Sequence, residues 1–317
     1  MNLKLSAAGI VFAAAMTLPA EAQMDLGRLA AVPHTHTLGP DSAQSVNYLT
    51  APPDRIREVV PALKGLRPEP GQEALPEILA GVARTIAAVL PRLPNLVSKE
   101  EIFHFQGKRD AAAAGGLANL QPWSREFKYL ILSHHGADGS TTIEELRTDA
   151  KGHSADGAGQ FTAPRGYGFA YQWLFFSAAN QGDFRFRLLG QQEKDGRKTW
   201  VVAFAQDPAK VSTPALFQSE GKVAPFYYQG VLWVDRGSFD IVRLRTDLLT
   251  PLSELHLRQM TTEVAFRSVP IHGFDAVFWL PSEVSIASDQ GAGLAEESHR
   301  YSDYHLFHAD TRIIPEP

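Results

Sequence analysis

Apolar residues recur with a helical period most clearly between Glu73 and Arg92. They follow one another at steps of three and four residues, which makes one broad stripe of a helix apolar. Pro76 fits the first turn of this helix, and Pro91 with Pro94 ends it. Such a stripe must be buried against another element. Its members are Leu75, Ile78, Leu79, Val82, Ile86, Val89 and Leu90.

Most of the chain that follows alternates apolar and polar residues with a period of two, which is typical of strands. Turns and loops without helices join these segments, so the pattern favours an antiparallel meander. Asp195-Gly196 predicts a hairpin turn, and Leu280-Pro281 predicts an edge strand or a bulge. The predicted strands are 97–106, 127–134, 141–147, 183–193, 198–206, 226–234, 239–247, 254–267, 277–288 and 296–307.

One hairpin stands at the centre of this pattern, around a turn at 235–238 where Gly237 is expected to take a positive φ. Its first strand is apolar on both faces, so we expect both faces to be covered. In its second strand, alternation places Ile241 on the face of Arg243 and Arg245. We therefore expect that strand to have an apolar face and a basic, hydrated end.

The N-terminus predicts a cleavable secretory signal over residues 1–22. Lys4 precedes an apolar run, and Ala20-Glu21-Ala22 has the small-x-small pattern of a signal peptidase site. The alternative is a membrane anchor, but the run from Ala7 to Leu18 is shorter than the roughly 20 residues that a spanning helix needs. We expect a mature chain that begins at Gln23 and is periplasmic or secreted, with no integral membrane segment.

Residues 23–72 are interrupted by prolines, which prevents a long helix or a central strand there. They predict an N-terminal arm that lies on the domain or stays mobile, with a short helix at 54–66 capped by Asp54. Residues 73–317 are then a single domain. His34 and His36 share one side of an extended arm, but no further ligand is adjacent, so we predict no metal site.

Composition narrows the function classes further. The chain has 317 residues, of which 44% are hydrophobic and 21% charged, as is ordinary for globular proteins. A net charge of −5 does not favour nucleic acid or anionic lipid surfaces as partners. The absence of cysteine excludes disulfides, thiol nucleophiles, cysteine-ligated metals and a lipid-modified N-terminal cysteine.

The sequence has no catalytic motif that we accept. The segment 134–139, HHGADG, is similar to the His-His-x-x-x-Asp-Gly motif of condensation domains but is one residue short. A phosphate loop, a dinucleotide fingerprint, a Gly-x-Ser-x-Gly elbow and His-Glu-x-x-His are all missing, and no cofactor is predicted.

The C-terminal strand is the most polar candidate site. If it is extended, one face carries five polar residues, and two of them, Asp303 and His305, could both approach a ligand. We favour the alternative, a hydrated sheet face with a few cross-strand hydrogen bonds. Glu100 and Glu101 point to opposite faces, so they are not a paired acid and base. The polar face consists of Glu297, His299, Tyr301, Asp303 and His305.

The aromatic run 167–176, YGFAYQWLFF, is predicted to form a short buried helix, because it has more aromatic surface than a surface helix can leave in water. We expect it to form one wall of an apolar cavity, although a filled core remains the alternative. The candidate ligand-binding residues are Tyr167, Phe169, Tyr171, Trp173, Leu174, Phe175, Phe176 and Trp233.

Several segments together resemble a group of secreted bacterial proteins, and their strand rhythm is similar to the lipoprotein-carrier half-barrels (LolA, LolB and RseB-like proteins). The resemblance covers Leu75 to Phe307. It implies an incomplete antiparallel barrel around helices, with an apolar cavity that holds acyl chains by contact and without catalytic residues. The segments are LPNLVSKEEIFHF, FRFRLLGQQEKDGRKTWVVAFAQ, YYQGVLWVDRGSFDIVRLRTDL, FWLPSEVSI and HRYSDYHLF.

The predicted fold class is therefore α+β, mainly β, with a curved antiparallel sheet wrapped around one or two helices as an open half-barrel. We rank first a periplasmic or secreted binding or carrier protein for a lipid, an acyl chain or a lipidated partner. The alternatives are an envelope interaction module without a small ligand and a hydrolase that uses Asp303, His305 and Tyr301. On the leading hypothesis the protein is not an enzyme.

Overall fold

The computed structural model describes residues 11–14, 46–109, 117–137, 141–154, 172–212, 214–219, 221–274, 277–291 and 293–307. The helices are α1 (Pro53–Val59) and α2 (Leu75–Val89). Short 3₁₀ segments lie at Pro61–Leu63, Leu90–Arg92, Gln172–Phe176, Gln181–Asp183 and Ser253–Leu255. The strands are β1 (Val11–Ala14), β2 (Arg67–Pro68), β3 (Leu96–Arg109), β4 (Leu117–Ala118), β5 (Trp123–His135), β6 (Thr141–Thr148), β7 (Phe184–Lys194), β8 (Arg197–Gln206), β9 (Ala215–Ser219), β10 (Lys222–Phe226), β11 (Tyr228–Asp235), β12 (Ile241–Leu248), β13 (Gln259–Pro270), β14 (Val277–Asp289) and β15 (Gly293–Leu306).

A single large antiparallel sheet of 12 strands dominates the fold. Its order is β2-β7-β8-β11-β12-β13-β14-β15-β3-β5-β6, with β4 added beside β3. Among the described strands, β2 and β6 stand at the two ends, so the sheet that these strands form is not closed into a barrel. The predicted fold class, a mainly β protein with an open half-barrel and helices, is confirmed. From β7 to β15 the sheet is a meander that passes directly from β8 to β11. Strand β15 then pairs with β3, which joins distant parts of the chain.

One face of the sheet, here called the inner face, is covered by α2 and by the segment Gln172–Phe176. Ile78, Val82 and Ile86 of α2 are buried there against residues from most strands of the sheet. Helix α2 lies within the stretch that the apolar stripe predicts, and Pro76 occupies its first turn as expected. The amphipathic stripe therefore supplies one side of the main core.

The opposite, outer face is covered by the arm. Val46, Ile56 and Leu63 belong to a second buried cluster that includes Val231 and Trp233 of β11. All eight residues of β11 are buried, which confirms that both faces of this strand are covered. The described part of the arm lies on the domain. Its helix is shorter than predicted, and Pro52 replaces Asp54 at the N-cap position, without a side-chain cap.

A bulge in β12 overturns the predicted faces of the central hairpin. The register shifts between Trp233 and Val234, so that Ile241 joins the inner core while Val242 joins the outer cluster. The expected hydrated basic end is also wrong, because Arg245 is buried and donates to the Val59 carbonyl of the arm at 3.3 Å. The Arg245 guanidinium is bonded to Asp247 and to Glu263, with N–O distances of 2.8 Å.

The turn of this hairpin differs from the prediction as well. Phe239, with φ of 61°, adopts the left-handed conformation, and Gly237 does not. The Asp235 carboxylate accepts hydrogen bonds from the backbone N–H groups of Gly237 and Ser238, at 2.8 and 3.0 Å. Side-chain capping of the turn removes the need for a positive φ at the glycine.

A small second sheet of three strands packs against the large sheet. It has the order β1-β9-β10, with β1 parallel and β10 antiparallel to β9. The sequence pattern of residues 207–225 predicts an irregular loop, but the hairpin of β9 and β10 begins within this stretch. Phe217 and Phe226 from this hairpin are buried with Tyr228 and Met260 of the large sheet. Strand β1 belongs to the stretch for which the sequence predicts a signal peptide.

Candidate functional site

The described part of the aromatic run lies in the inner core. The residues Gln172–Phe176 form a 3₁₀ segment in which Trp173, Leu174 and Phe176 are buried, while Phe175 is half-buried. Phe176 packs edge-on against Phe204, with ring centroids 5.0 Å apart. Three of the candidate residues, Tyr167, Phe169 and Tyr171, lie outside the described residues.

Trp233 stands apart from this group because it belongs to the outer cluster. Its side chain is fully buried, and its indole N–H donates to Gln192 Oε1 at 2.8 Å. The Gln192 amide in turn donates to the backbone carbonyls of Ala62 and Lys64, at 2.9 and 2.8 Å. Trp233 therefore joins the sheet to the arm, and the sheet separates it from the aromatic run.

An apolar crevice lies at the seam between α2 and the tip of the β11–β12 hairpin. It encloses about 40 Å³ and reaches the protein surface. Trp173 lines it, so one of the sequence candidates is in its wall. Trp279 and Phe239 also line it, and neither was a candidate. The described residues that line the crevice are Val82, Thr85, Ile86, Val89, Trp173, Phe239, Asp240, Ile241 and Trp279.

Two contacts hold the rim of this crevice together. The Thr85 hydroxyl donates to the carbonyl of Ser238 at 3.0 Å. Beside it the Phe239 ring lies directly on Gly81, where an added Cβ would be only 2.3 Å from Phe239 Cδ1. A glycine at this point of α2 lets the hairpin tip approach the helix backbone.

At the end of the inner face away from the crevice, charged side chains form a buried cluster. Glu100 of β3 is fully buried and binds Arg147 of β6 through two bonds, from Nε at 2.6 Å and from Nη2 at 2.9 Å. His299 Nδ1 lies 2.9 Å from Glu100 Oε1, to which the Tyr301 hydroxyl also donates, at 2.7 Å. The chain of contacts continues through Glu297, whose Oε2 is 3.4 Å from His299 Nε2.

These contacts shift the pKa of each group. Burial alone would raise the pKa of Glu100, but the Arg147 charge and the bond to His299 bring it down to about 2. Burial opposes the charge of Glu297 in the same way, and its bonds to His104 and His299 lower its pKa to about 2. Although desolvation acts against it, the two carboxylates raise the pKa of His299 above its usual value. The group is thus a mutually neutralising ionic cluster.

The hydrated polar face expected for β15 is therefore wrong for Glu297, His299 and Tyr301, which are turned inward. Asp303 and His305 do not share their face. The register shifts between Ser302 and His305, Asp303 takes φ of 56°, and both of these side chains are exposed. The residues proposed for a hydrolase do not converge, because a bulge separates Tyr301 from the other two.

A polar cleft lies beyond the crevice, between the tips of the β7–β8 and β11–β12 hairpins. Its volume is about 730 Å³, and it is open to solvent. Arginines on its wall are stacked on tryptophans. Arg197 lies 4.5 Å from the Trp279 ring centroid, and Arg236 lies 4.5 Å from that of Trp200. The cleft is lined by Asp195, Gly196, Arg197, Lys198, Asp235, Arg236 and Gly237.

Neither the ionic cluster nor the crevice and the cleft at the hairpin tips was predicted from the sequence. One signal for the cluster is present in the sequence, because the charged residue Glu100 falls on the same face of its strand as Leu96 and Ile102. Over the described ranges, no group of three or more His, Asp or Glu side chains has a geometry that could hold a metal ion. No helix in the described part of the chain is long and apolar enough to cross a membrane.

No protein-family model matches the sequence, and no curated protein matches it. Among the similar solved structures is a DUF1329 family protein from Desulfovibrio piger, with 12% identity, 72% of this chain and 92% of that chain covered, and a TM-score of 0.37. A putative outer membrane lipoprotein-sorting protein domain from Vibrio parahaemolyticus shows 13% identity, covering 77% of this chain and 92% of that chain, with a TM-score of 0.34. A chain of the MucA/MucB complex from Pseudomonas aeruginosa shows 12% identity, with 71% and 94% covered and a TM-score of 0.19. A lipoprotein-sorting structure, of the kind that the strand pattern resembles, is thus among the similar structures.

Proposed function

We propose that this chain is an exported binding or carrier protein, periplasmic or secreted, that takes an acyl chain or a similar apolar group between α2 and the inner face of the sheet. The observation that carries the proposal is the apolar crevice at the rim of α2, with Trp173 in its wall. A lipid or a lipidated protein would present such a group.

The size of the crevice implies that α2 moves when a ligand binds. A cavity of about 40 Å³ holds a few water molecules and not an acyl chain. The ligand must therefore replace contacts that α2 makes with the sheet through Ile78, Val82 and Ile86. Burial of an acyl chain supplies roughly 25 cal/mol per Å² of apolar area, which offsets the loss of those contacts.

The ionisable groups of the inner face support binding over hydrolysis. Glu100, Arg147 and His299 are bonded to one another and fully or nearly fully buried. A general acid or base must reach the substrate proton, directly or through one water. These groups are hydrogen-bonded within the cluster and neutralise each other's charge. Their role in the proposed function is therefore to hold β3, β6 and β15 together while α2 moves.

A reversible disulfide across the rim tests the proposal. The natural chain has no cysteine, so Thr85→Cys with Ser238→Cys introduces a single pair at a point where the Thr85 side chain already reaches the Ser238 backbone carbonyl. We expect the oxidised protein to bind a fluorescent fatty-acid probe at least about tenfold more weakly than wild type, because α2 cannot leave the hairpin tip. Reduction should restore the wild-type affinity.

The reduced double variant is the control for the substitutions themselves, and the two single-cysteine variants control for the oxidant. Mass spectrometry must show that the crosslink is complete. Equal probe affinity of the oxidised and the reduced protein would contradict the proposal, because a closed rim would then not hinder binding.

One observation favours the interaction-module alternative. Strand β6 stands at the end of the sheet order, and among the described residues its free side has a single backbone bridge, between Thr148 and Ser154. An edge strand can pair with a strand of another protein. This alternative expects no probe binding in any state of the rim disulfide.

A further inference from the structure

The polar cleft at the hairpin tips has more positive charge than its carboxylates neutralise. Arg197 donates to Asp235 at 2.8 Å, and that carboxylate also accepts from two backbone N–H groups of the turn. Within the described part of the chain, neither Arg236 nor Lys198 forms an ion pair. The remaining carboxylate on the cleft wall, Asp195, is exposed.

The two unpaired cations are held close to each other. The backbone N–H of Arg236 donates to the Lys198 carbonyl at 3.0 Å, so both side chains start from hydrogen-bonded residues. The Arg236 guanidinium lies on the Trp200 ring and donates to Gln191 Oε1 at 2.6 Å. A neutral acceptor and an aromatic face order the guanidinium without cancelling its charge, which leaves it available to an anion.

The cleft and the crevice share the tip of the β11–β12 hairpin. Gly237 belongs to the cleft and Phe239 to the crevice, and two residues of chain span at most about 7 Å. The second link is Arg197, on the cleft wall, which lies over the ring of Trp279 on the crevice wall. A molecule with its apolar part in the crevice would therefore have its other end beside the cations.

We infer that the ligand is an anionic amphiphile, whose chain enters the crevice and whose carboxylate or phosphate head group binds Arg236 and Lys198. This inference rests on the proposed function for the place of the chain. Beyond the proposed function, it specifies the charge of the ligand and the two residues that recognise the head group. Arginine and lysine at the rim supply charge-assisted hydrogen bonds that a neutral head group cannot accept to the same extent.

Competition for a neutral fluorescent probe by decyl phosphate, decanoate and decanol tests the inference, since the three share one chain and differ in head group. We expect wild type to bind the two anions about tenfold more tightly than the alcohol. Arg236→Gln with Lys198→Gln should remove that preference and leave the affinity for decanol unchanged. Whichever of decyl phosphate and decanoate binds more tightly identifies the phosphate or the carboxylate as the better head group.

The matched control is Arg300→Gln with Lys222→Gln, which removes the same charge from exposed positions on β15 and β10. It should keep the wild-type preference. An anion preference that survives in the cleft variant, or that wild type never shows, would overturn the inference. Should wild type bind none of the three chains, the proposed function fails, and calorimetry with inorganic phosphate then decides the anion site alone. Phosphate binding that Arg236→Gln abolishes supports the site, and no phosphate binding overturns it.

Discussion

At the scale of single residues, several buried polar side chains of this protein form hydrogen bonds that cross from one element to another. Gln229 shows this most simply. Its side chain accepts from the Tyr48 N–H at 3.1 Å and donates to the Val46 carbonyl at 3.0 Å, so one amide binds the arm as a neighbouring strand would. Trp233 and Gln192 do the same further along the sheet. A buried polar group that loses its partner costs about 1–3 kcal/mol.

The first prediction concerns Trp233. Because the side chain is fully buried, Trp233→Ala should lower the free energy of unfolding by about 3–5 kcal/mol. Trp233→Phe keeps most of the packing but leaves Gln192 Oε1 without its donor, so its cost should be smaller. Urea unfolding measures both, and Leu120→Ala at an exposed position is the control. A denaturant midpoint that Trp233→Ala leaves unchanged would mean that the outer cluster contributes little.

At the scale of elements, α2 is held by its apolar stripe along the core and by the hairpin tip at the rim. The stripe is a property of the helix, whereas the rim contact depends on one glycine. Gly81 is where Phe239 reaches the helix backbone, and its missing Cβ leaves room for the ring. The same hairpin tip forms walls of both the crevice and the cleft.

The second prediction is that the effect of Gly81→Ala on stability changes sign when the Phe239 ring is removed. Alanine is more favourable than glycine in a helix interior by about 1 kcal/mol, but here its Cβ would overlap the Phe239 ring. Overpacking costs about 1–3 kcal/mol, so Gly81→Ala should destabilise the protein. In a Phe239→Ala background the same change should stabilise it by about 1 kcal/mol. Urea unfolding of the four proteins measures the coupling, and the same sign in both backgrounds would refute the contact.

At the scale of the whole molecule, the inner face is divided into an apolar part and an ionised part. Aromatic residues of β7 and β8 pack against the segment Gln172–Phe176, while Glu100, Arg147 and His299 join β3, β6 and β15. The ionic part connects strands that are far apart in the chain. Removing one partner of such a buried ionic group costs about 3–5 kcal/mol, because the other charge stays buried.

The third prediction is the pH dependence of stability. Glu100 and Glu297 have pKa values lowered from 4.5 to about 2, so their contribution is present above pH 4.5 and is lost as the pH falls towards 2. The pKa of His299 is raised from 6.5, so its contribution is present below pH 6.5 and is lost as the pH rises through the folded-state pKa. The contribution of these three groups to stability should therefore be largest between pH 4.5 and 6.5.

Urea midpoints measured from below pH 4.5 to above pH 6.5 test the third prediction. His299→Gln should flatten the decline on the alkaline side and keep the decline on the acid side. His305→Gln, an exposed histidine on the same strand, should keep the wild-type profile. An alkaline decline that is the same in wild type and in His299→Gln would contradict the assigned role of the cluster.

The sequence by itself determined the elements whose signal is local. The stripe that begins at Leu75 predicts α2, and the alternation on either side of 235–238 predicts a hairpin whose first strand is covered on both faces. Leu280-Pro281 predicts an edge strand or a bulge, and β14 has a bulge there, because its register with β13 shifts between Pro281 and Glu283. These features depend on spacing and on proline, which act within a few residues.

Only the tertiary structure decided which faces meet. The bulge at Val242 reverses the faces of β12, and a register shift after Ser302 turns Asp303 and His305 outward, because one extra residue inverts a period of two. Glu100 and Arg147 lie 47 residues apart, and nothing in their spacing predicts that they pair. The crevice and the cleft arise where separate hairpins and α2 meet, so their walls exist only after the sheet has formed.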